Sequence, residues 1–187
     1  MATVEDVLLD VDSRMDKSVD ALISELNTIR TGRASPSLVE NLSVDYYGAS
    51  TPLNQLSSIS VPEARLLVIQ PWDKQAVGDI EKSILKSDLG LMPNSDGTVI
   101  RLNIPQLTEE RRRDLVRLVG KRVEEGHVAV RNVRRDGLET LRSLEKGKEI
   151  SQDELRRAQD DLQQITDGHT EMMEQLGKEK ETEVMEV

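Results

Sequence analysis

Three arginines lie close together in the segment VAVRNVRRD, residues 128–136, of an otherwise acidic chain. Arg131, Arg134 and Arg135 fall within five positions, whereas the formal net charge of the 187 residues is −10. Guanidinium groups bind phosphate through two parallel hydrogen bonds and keep their charge at any physiological pH. The segment therefore indicates a binding site for a phosphate-bearing partner.

Helical phase extends this segment into a line of basic side chains. At about 100° per residue, six cationic residues share one side of a helix whose apolar residues occupy the opposite side. They are Arg113, Arg117, Lys121, Arg131, Arg135 and Arg142, and Arg134 flanks the apolar side. The line would extend over about 43 Å. The alternative is an ordinary solvated helix face, supported by pairs such as Glu110–Arg113 and Glu139–Arg142.

The composition of this line narrows the choice of partner. It has no interleaved aromatic residues, which argues against stacking on single-stranded bases. No separate recognition helix or dimer element is evident, which argues against a sequence-specific reader of DNA. Recognition of folded, double-helical RNA through its backbone phosphates fits the pattern best.

The sequence shows no motif for catalysis, a cofactor or a metal. It has no cysteine and two histidines, His127 and His169, neither with partners at a recognisable ligand spacing. His169 falls on the apolar side of a predicted helix, where a core histidine is the favoured interpretation. Phosphate-binding loops, zinc-protease motifs and nucleophile elbows are absent. We therefore predict a binding protein that is not an enzyme.

Three long amphipathic segments, residues 4–29, 115–144 and 155–176, predict helices because apolar residues recur at steps of three and four. A chain with no Phe, one Trp and two Tyr suits long helices packed on narrow aliphatic faces. The short connection between the last two segments favours a three-helix bundle within one chain. The alternative is a coiled-coil oligomer.

Start and stop signals bound these helices. The predicted N-caps are Thr3, Thr108 and Ser151, the last in a capping box with Glu154, and the predicted stops are Gly32, Gly147 and Gly177. The charged tail after Gly177 is predicted to fray. Gly126 and Gly137 fall on the apolar side of the second helix, where they let a neighbour approach, whereas Gly120 is a candidate kink.

Residues 33–104 differ in composition and apolar pattern from the helical segments, with Ser, Pro, Gly and Asn between short β-type runs. The predicted order is strand, strand, strand, helix, strand, with PNSDG at residues 93–97 as a turn. We predict an α+β fold in which residues 1–30 and 107–187 form the bundle and residues 31–106 form an inserted β/α/β domain. Two tethers, at 30–36 and 103–107, would act as a hinge.

The N-terminal sequence MATVEDVLLD lacks the basic and apolar regions of a signal peptide. No apolar run approaches the roughly 20 residues that a membrane span needs. We expect a soluble, cytoplasmic protein that does not bind membranes.

Several long strings resemble the bacterial ribosome recycling factor family. They are IRTGRASPSLVENLSVDYYG (29–48), PLNQLSSISV (52–61), SDLGLMPNSDG (87–97), LTEERRRDLV (107–116), VAVRNVRRD (128–136) and KEISQDELRRAQDDLQQITD (148–167). The resemblance covers nearly the whole chain. It implies an L-shaped, hinged molecule that binds the post-termination ribosome and, with elongation factor G and GTP hydrolysis by that partner, splits the subunits for reuse.

The resemblance also assigns site residues. It implies that Arg30, Arg131, Arg134 and Arg135 contact the 23S rRNA of the large (50S) subunit, and helical phase adds Arg113 and Arg117. The implied hinge comprises Thr31, Gly32 and Arg33 on one tether and Ile104, Pro105 and Gln106 on the other. We expect a monomer without a cofactor that does not bind DNA. The alternative function is a coiled-coil scaffold or holdase-like module that binds acidic protein partners.

Overall fold

The computed structural model describes residues 3–186, which divide into two compact units. The first contains the chain up to Arg30 together with Glu109–Glu186, and the second contains Thr31–Thr108. Within residues 3–186, no helix combines the length and apolar character needed to cross a bilayer.

The first unit is a bundle of three helices, each of which packs against the other two. Helix α1 spans Val4–Asn27, α3 spans Glu109–Lys146 and α4 spans Gln152–Met185; the short helix α2, Val77–Lys86, belongs to the second unit. Buried Val, Leu and Met side chains from all three form the core, which confirms the bundle predicted from the apolar periodicity. Helix α3 is continuous over 38 residues, including the position of Gly120.

Two helices of the bundle begin at capping boxes. The hydroxyl of Thr3 accepts from the backbone N–H of Asp6, whose carboxylate accepts from the backbone N–H of Thr3. Ser151 and Glu154 form the same reciprocal pair at the start of α4. Each box satisfies backbone N–H groups that lack a partner in the first turn of a helix. The predicted caps at Thr3 and Ser151 are therefore confirmed.

The prediction that the chain frays after Gly177 is wrong. Helix α4 continues to Met185, and Val184 is fully buried. The predicted apolar side of α4 is confirmed at Leu162 and His169, which are buried, but Thr166 and Met173 are buried where Ile165 and Met172 were predicted. The buried residues Thr166, Met173 and Gly177 lie on the same side of α4 as Val184, which follows Gly177 by two turns. The last turns of α4 therefore stay packed.

The second unit contains two antiparallel sheets. Strands β1 (Ser43–Tyr46) and β2 (Ala49–Pro52) form a hairpin. The larger sheet has the order β3-β4-β6-β5, in which β3 is Ser57–Glu63, β4 is Leu66–Pro71, β5 is Pro93–Ser95 and β6 is Ile100–Asn103. Helix α2, Val77–Lys86, supplies Ile80 and Ile84 to a core shared with β4 and β6.

The predicted order of strands in this unit was wrong at two places. Strand β2 was missed, although Tyr47 and Gly48 both have positive φ angles, 50° and 79°, as a two-residue turn with the twist of a hairpin requires. The sequence predicts only a turn at residues 93–97, whereas Pro93–Ser95 forms strand β5 and pairs with β6 before the chain reverses. The reversal is held by Asp96, whose carboxylate accepts from the backbone N–H groups of Thr98 and Val99.

Candidate RNA-binding surface

The basic stripe, defined as Arg113, Arg117, Lys121, Arg131, Arg135 and Arg142, lies on the solvent side of α3, and all six residues are exposed. Contacts on either flank fix this orientation. Arg14 of α1 forms an ion pair with Asp136 at 2.8 Å, and Arg134 donates a hydrogen bond to Gln163 of α4. The stripe lies between these flanks, opposite the buried Val130, Val133 and Leu141 of the core, so α1 and α4 do not cover it.

Arg131 is held in an ion pair on this surface. Its Nη2 lies 2.7 Å from Glu124 Oε1, and the two side chains are 59% and 61% exposed. The hydrogen bond and charge of Arg131 lower the pKa of Glu124, so this carboxylate is ionised at neutral pH. Exposed pairs contribute less than about 1 kcal/mol, so a phosphate can displace the carboxylate. Glu124 was missed as a partner because it lies seven residues away rather than three or four.

Arg113 and Arg117 pair with carboxylates on their own helix. Arg113 contacts Glu109 one turn earlier, and Arg117 Nη1 lies 3.4 Å from Asp114 Oδ1. Both arginines are more than two-thirds exposed, so solvent screens these pairs strongly. The predicted pair Glu110–Arg113 is thus replaced by Glu109–Arg113.

Three stripe residues have no carboxylate partner. Within residues 3–186, Lys121, Arg135 and Arg142 form no ion pair, so the predicted pair Glu139–Arg142 is not formed. Their charges are directed to solvent without internal compensation. These three cationic side chains could therefore pair with an array of phosphates.

Arg134 and Arg30 lie outside the line of the stripe. Arg134 is half-buried at the edge between α3 and α4, where its Nε donates to Gln163 Oε1 at 2.9 Å. That bond uses one donor of the guanidinium and fixes the direction of the group. Arg30 is exposed and follows the end of α1 by three residues, without an ion pair in the described part of the chain.

The predicted hinge residues lie in segments that pack within the second unit. Thr31 and Gly32 are buried, and Gly32 has a φ of 76°. A Cβ at Gly32 would lie 3.0 Å from Leu107 Cγ, so the two tethers pass close to each other. Backbone N–H groups of Ala34 and Ile104 donate to the turn between β3 and β4, each at 2.8 Å. Pro105 and Gln106 are exposed, and Arg33 is half-buried.

The surface has few apolar groups and no aromatic ones. Val128 is 42% exposed beside the stripe and was not predicted to lie there. The only aromatic residues of the chain, Tyr46, Tyr47 and Trp72, all belong to the second unit. The arrangement can therefore bind phosphates through guanidinium and ammonium groups, but it offers no platform for stacked bases.

The fold defines an α+β protein with a three-helix bundle and an inserted β-sheet unit. A family model described as "Ribosome recycling factor" matches residues 22–185. The chain is 59% identical over 184 residues to a ribosome-recycling factor of Geobacillus sp. (strain WCH70), covering 98% of this chain and 100% of that protein. The chain belongs to the ribosome recycling factor family, as the resemblance of its sequence predicts. Members of this family are translation factors and not enzymes.

Two solved structures are similar over almost the whole chain. A solution structure of the ribosome recycling factor has a TM-score of 0.76 and 46% sequence identity, covering 98% of both chains. The second comes from models of the T. thermophilus ribosome recycling factor and the E. coli elongation factor G bound to the E. coli post-termination complex. It has a TM-score of 0.66 and 46% identity, covering 98% of this chain and 99% of that one. These similarities support the α+β fold.

Proposed function

We propose that this protein binds the post-termination ribosome and, together with elongation factor G, separates it into subunits that can be used again. The observation that carries the proposal is membership of the ribosome recycling factor family, shown over nearly the whole chain. A similar structure, of the T. thermophilus factor, was described with elongation factor G on a post-termination complex. The proposal places the protein in the cytoplasm, where it acts as a monomer.

In this proposal the bundle contacts 23S rRNA of the large subunit through the basic stripe, with Arg30 and Arg134 at its margins. The support is physical: six exposed cationic side chains lie on one helix, and three of them have no internal partner among residues 3–186. The proposed contacts are to backbone phosphates, because the stripe lacks groups that would stack on bases. Binding should therefore depend strongly on salt.

The two tethers act as a hinge in the proposed mechanism. The short segments Thr31–Arg33 and Ile104–Gln106 connect the second unit to the bundle at both of its ends. Paired tethers allow a swing but limit free rotation, so a translocase that pushes on one unit can transmit force through the other. Gly32 supports this assignment, because its positive φ is one that other residues rarely adopt.

The rRNA contact can be tested with the double substitution Arg131→Ala/Arg135→Ala. Both side chains are exposed, so the bundle should stay folded while affinity for large subunits falls. Each phosphate contact contributes about −0.7 to −0.9 to the slope of log K against log salt, so losing two should make the slope shallower by about 1.4–1.8. The measurement is binding to purified large subunits over a range of salt concentrations.

A matched control removes the same charge elsewhere. Lys82→Ala/Lys86→Ala deletes two exposed cations of α2 and should leave affinity almost unchanged. Equal losses in the two double variants would show that net charge, and not the stripe, governs binding. Unchanged affinity in the Arg131/Arg135 variant would refute the proposed contact. A homo-oligomer that does not sediment with large subunits would instead support the scaffold function.

The hinge is tested by Pro105→Gly, which loosens one tether at an exposed position. We expect binding to large subunits to be preserved and subunit splitting with elongation factor G and GTP to slow. A variant that splits ribosomes at the normal rate would argue against a mechanical role for this tether.

A further inference from the structure

A second cluster of ligand-bearing side chains lies between α1 and α4, on elements that do not carry the basic stripe. His169 of α4 is buried, with its side chain 9% exposed, and Asp12 and Asp16 of α1 face it. His169 Nε2 lies 2.9 Å from Asp16 Oδ1 and 3.6 Å from Asp12 Oδ1. One ligand atom from each of the three residues falls within 4.8 Å of the others.

The tautomer of His169 follows from its other ring nitrogen. Nδ1 lies 2.7 Å from the carbonyl oxygen of Ile165, one turn earlier on α4. A carbonyl oxygen can only accept, so Nδ1 carries a hydrogen; in the protonated ring Nε2–H also donates to Asp16 Oδ1 at 2.9 Å, and a metal ion would bind Nε2 in place of that proton. Metal-binding histidines are commonly oriented in this way, with one ring N–H donated to a backbone carbonyl and the other nitrogen free to coordinate.

Among residues 3–186, the carboxylates of Asp12 and Asp16 pair with no cationic group other than His169 itself. Arg14, the nearest arginine along α1, pairs with Asp10 and Asp136 instead. In the protein alone, the imidazolium form of His169 holds the two carboxylates, and a divalent ion between the three groups would replace its Nε2 proton and supply more positive charge.

The spacing fits a small divalent metal. Bonds of about 2.0–2.1 Å to tetrahedral Zn²⁺ separate its donor atoms by about 3.3–3.4 Å. The two donor separations from Nε2, 2.9 and 3.6 Å, lie on either side of that value. One imidazole and two carboxylates suit Zn²⁺ or a similar first-row metal better than Mg²⁺, which prefers oxygen ligands alone.

We propose that Asp12, Asp16 and His169 form a binding site for one divalent transition-metal ion, of which Zn²⁺ is the best fit. The half-exposed carboxylates leave room for a water molecule as the fourth ligand. The ion would connect α1 to α4 and so stabilise the bundle. This site is independent of the proposed ribosome binding, since its residues lie on other helices than the stripe.

The sequence did not reveal this site because its ligands come from two different helices. Asp16 and His169 are 153 residues apart in the chain. Only Asp12 and Asp16 have a recognisable spacing, one turn apart on α1. The absence of cysteine and the presence of only two histidines make the assignment simple to test, since His127 is the sole competing imidazole in the chain.

The experiment is titration of the untagged full-length protein with zinc chloride, followed by calorimetry and by competition with a chromophoric chelator. We expect one equivalent of Zn²⁺ to bind and to raise the thermal unfolding temperature of the helices, with magnesium chloride unable to compete. His169→Gln and Asp12→Asn should each weaken the affinity by about tenfold or more, whereas His127→Gln should not.

The Asp12→Asn variant separates loss of metal binding from loss of folding, because this half-exposed side chain can change without disturbing the core. Circular dichroism of each variant without metal provides the folding control. The proposal is overturned if the wild-type protein binds no Zn²⁺, or if Zn²⁺ binding is the same in His169→Gln as in the wild type. It is also overturned if His127→Gln weakens binding as much as His169→Gln does.

Discussion

Glycines within α3 should respond to alanine in opposite directions, depending on what faces them. At Gly137, a Cβ would lie 2.6 Å from Val11 Cγ2 and 3.5 Å from Leu162 Cδ1. At Gly120, a Cβ would meet no heavy atom within 4 Å. Both residues are interior to one continuous helix, so the gain in helix propensity from Gly to Ala is shared.

The magnitude follows from these distances. Alanine is favoured over glycine in a helix interior by about 0.8–1.0 kcal/mol, so Gly120→Ala should stabilise the bundle by about that amount. Carbon atoms normally pack about 3.5–4.0 Å apart, so Val11 must retreat by about 1 Å to accommodate Gly137→Ala. Overpacking of this kind costs about 1–3 kcal/mol, which should equal the difference in stability between the two variants.

The assay is urea unfolding followed by circular dichroism at a helical wavelength. Trp72, the only tryptophan, lies in the second unit and gives a separate fluorescence signal for that unit. A second pair repeats the comparison in α4. Gly168 faces open space, whereas a Cβ at Gly177 would lie 2.7 Å from Val123 Cγ2.

The reasoning is refuted if Gly137→Ala stabilises the bundle as much as Gly120→Ala does. That outcome would mean that α1 and α3 can separate without loss at this level, so the close approach at Gly137 would have no energetic importance. A fluorescence transition of Trp72 that stays fixed in all four variants would localise the effect to the bundle.

Further predictions concern the stripe, a cap and the C-terminal turns. Glu124→Gln removes the carboxylate that holds Arg131, so affinity for large subunits should rise in a binding assay, and a fall would contradict the role of the pair as a competitor. Ser151→Ala should cost about 1 kcal/mol in urea unfolding. The hydrogen bonds from Ser151 lower the pKa of Glu154 from 4.5. The ionised carboxylate therefore contributes to folding stability above pH 4.5, and this contribution is lost as the pH falls through the lower pKa of the folded state. Glu154→Gln should flatten this part of the stability profile. Val184→Ala should destabilise the bundle by about 1–2 kcal/mol, whereas a frayed tail would show no change.

Features that depend on neighbouring residues in the chain were predictable. The apolar steps identified all three helices of the bundle, and the capping pairs Thr3–Asp6 and Ser151–Glu154 mark the starts of α1 and α4. The outward position of the stripe also followed from helical phase alone, since residues 113–142 belong to one regular helix. Such features are set by the 3.6-residue period and by bonds within a single turn.

Features that depend on a partner elsewhere in the chain were not predictable. Strand β5 exists because Pro93–Ser95 pairs with β6, and its own residues carry the signals of a turn. Helix α4 buries Thr166 more deeply than Ile165, and its backbone at Gly177 lies against Val123 of α3; both depend on how the two helices pack. Hydrophobicity alone cannot choose between adjacent residues at the edge of an apolar face.

The sequence by itself determined the family, the three helices and the side of α3 on which the arginines lie, because these are recorded in contiguous strings and short periodicities. Only the tertiary structure decided that Arg134 binds Gln163 of α4, and which carboxylates meet His169. Those outcomes depend on how helices distant in the chain rotate and approach one another, and that packing is fixed by the whole core rather than by any one segment.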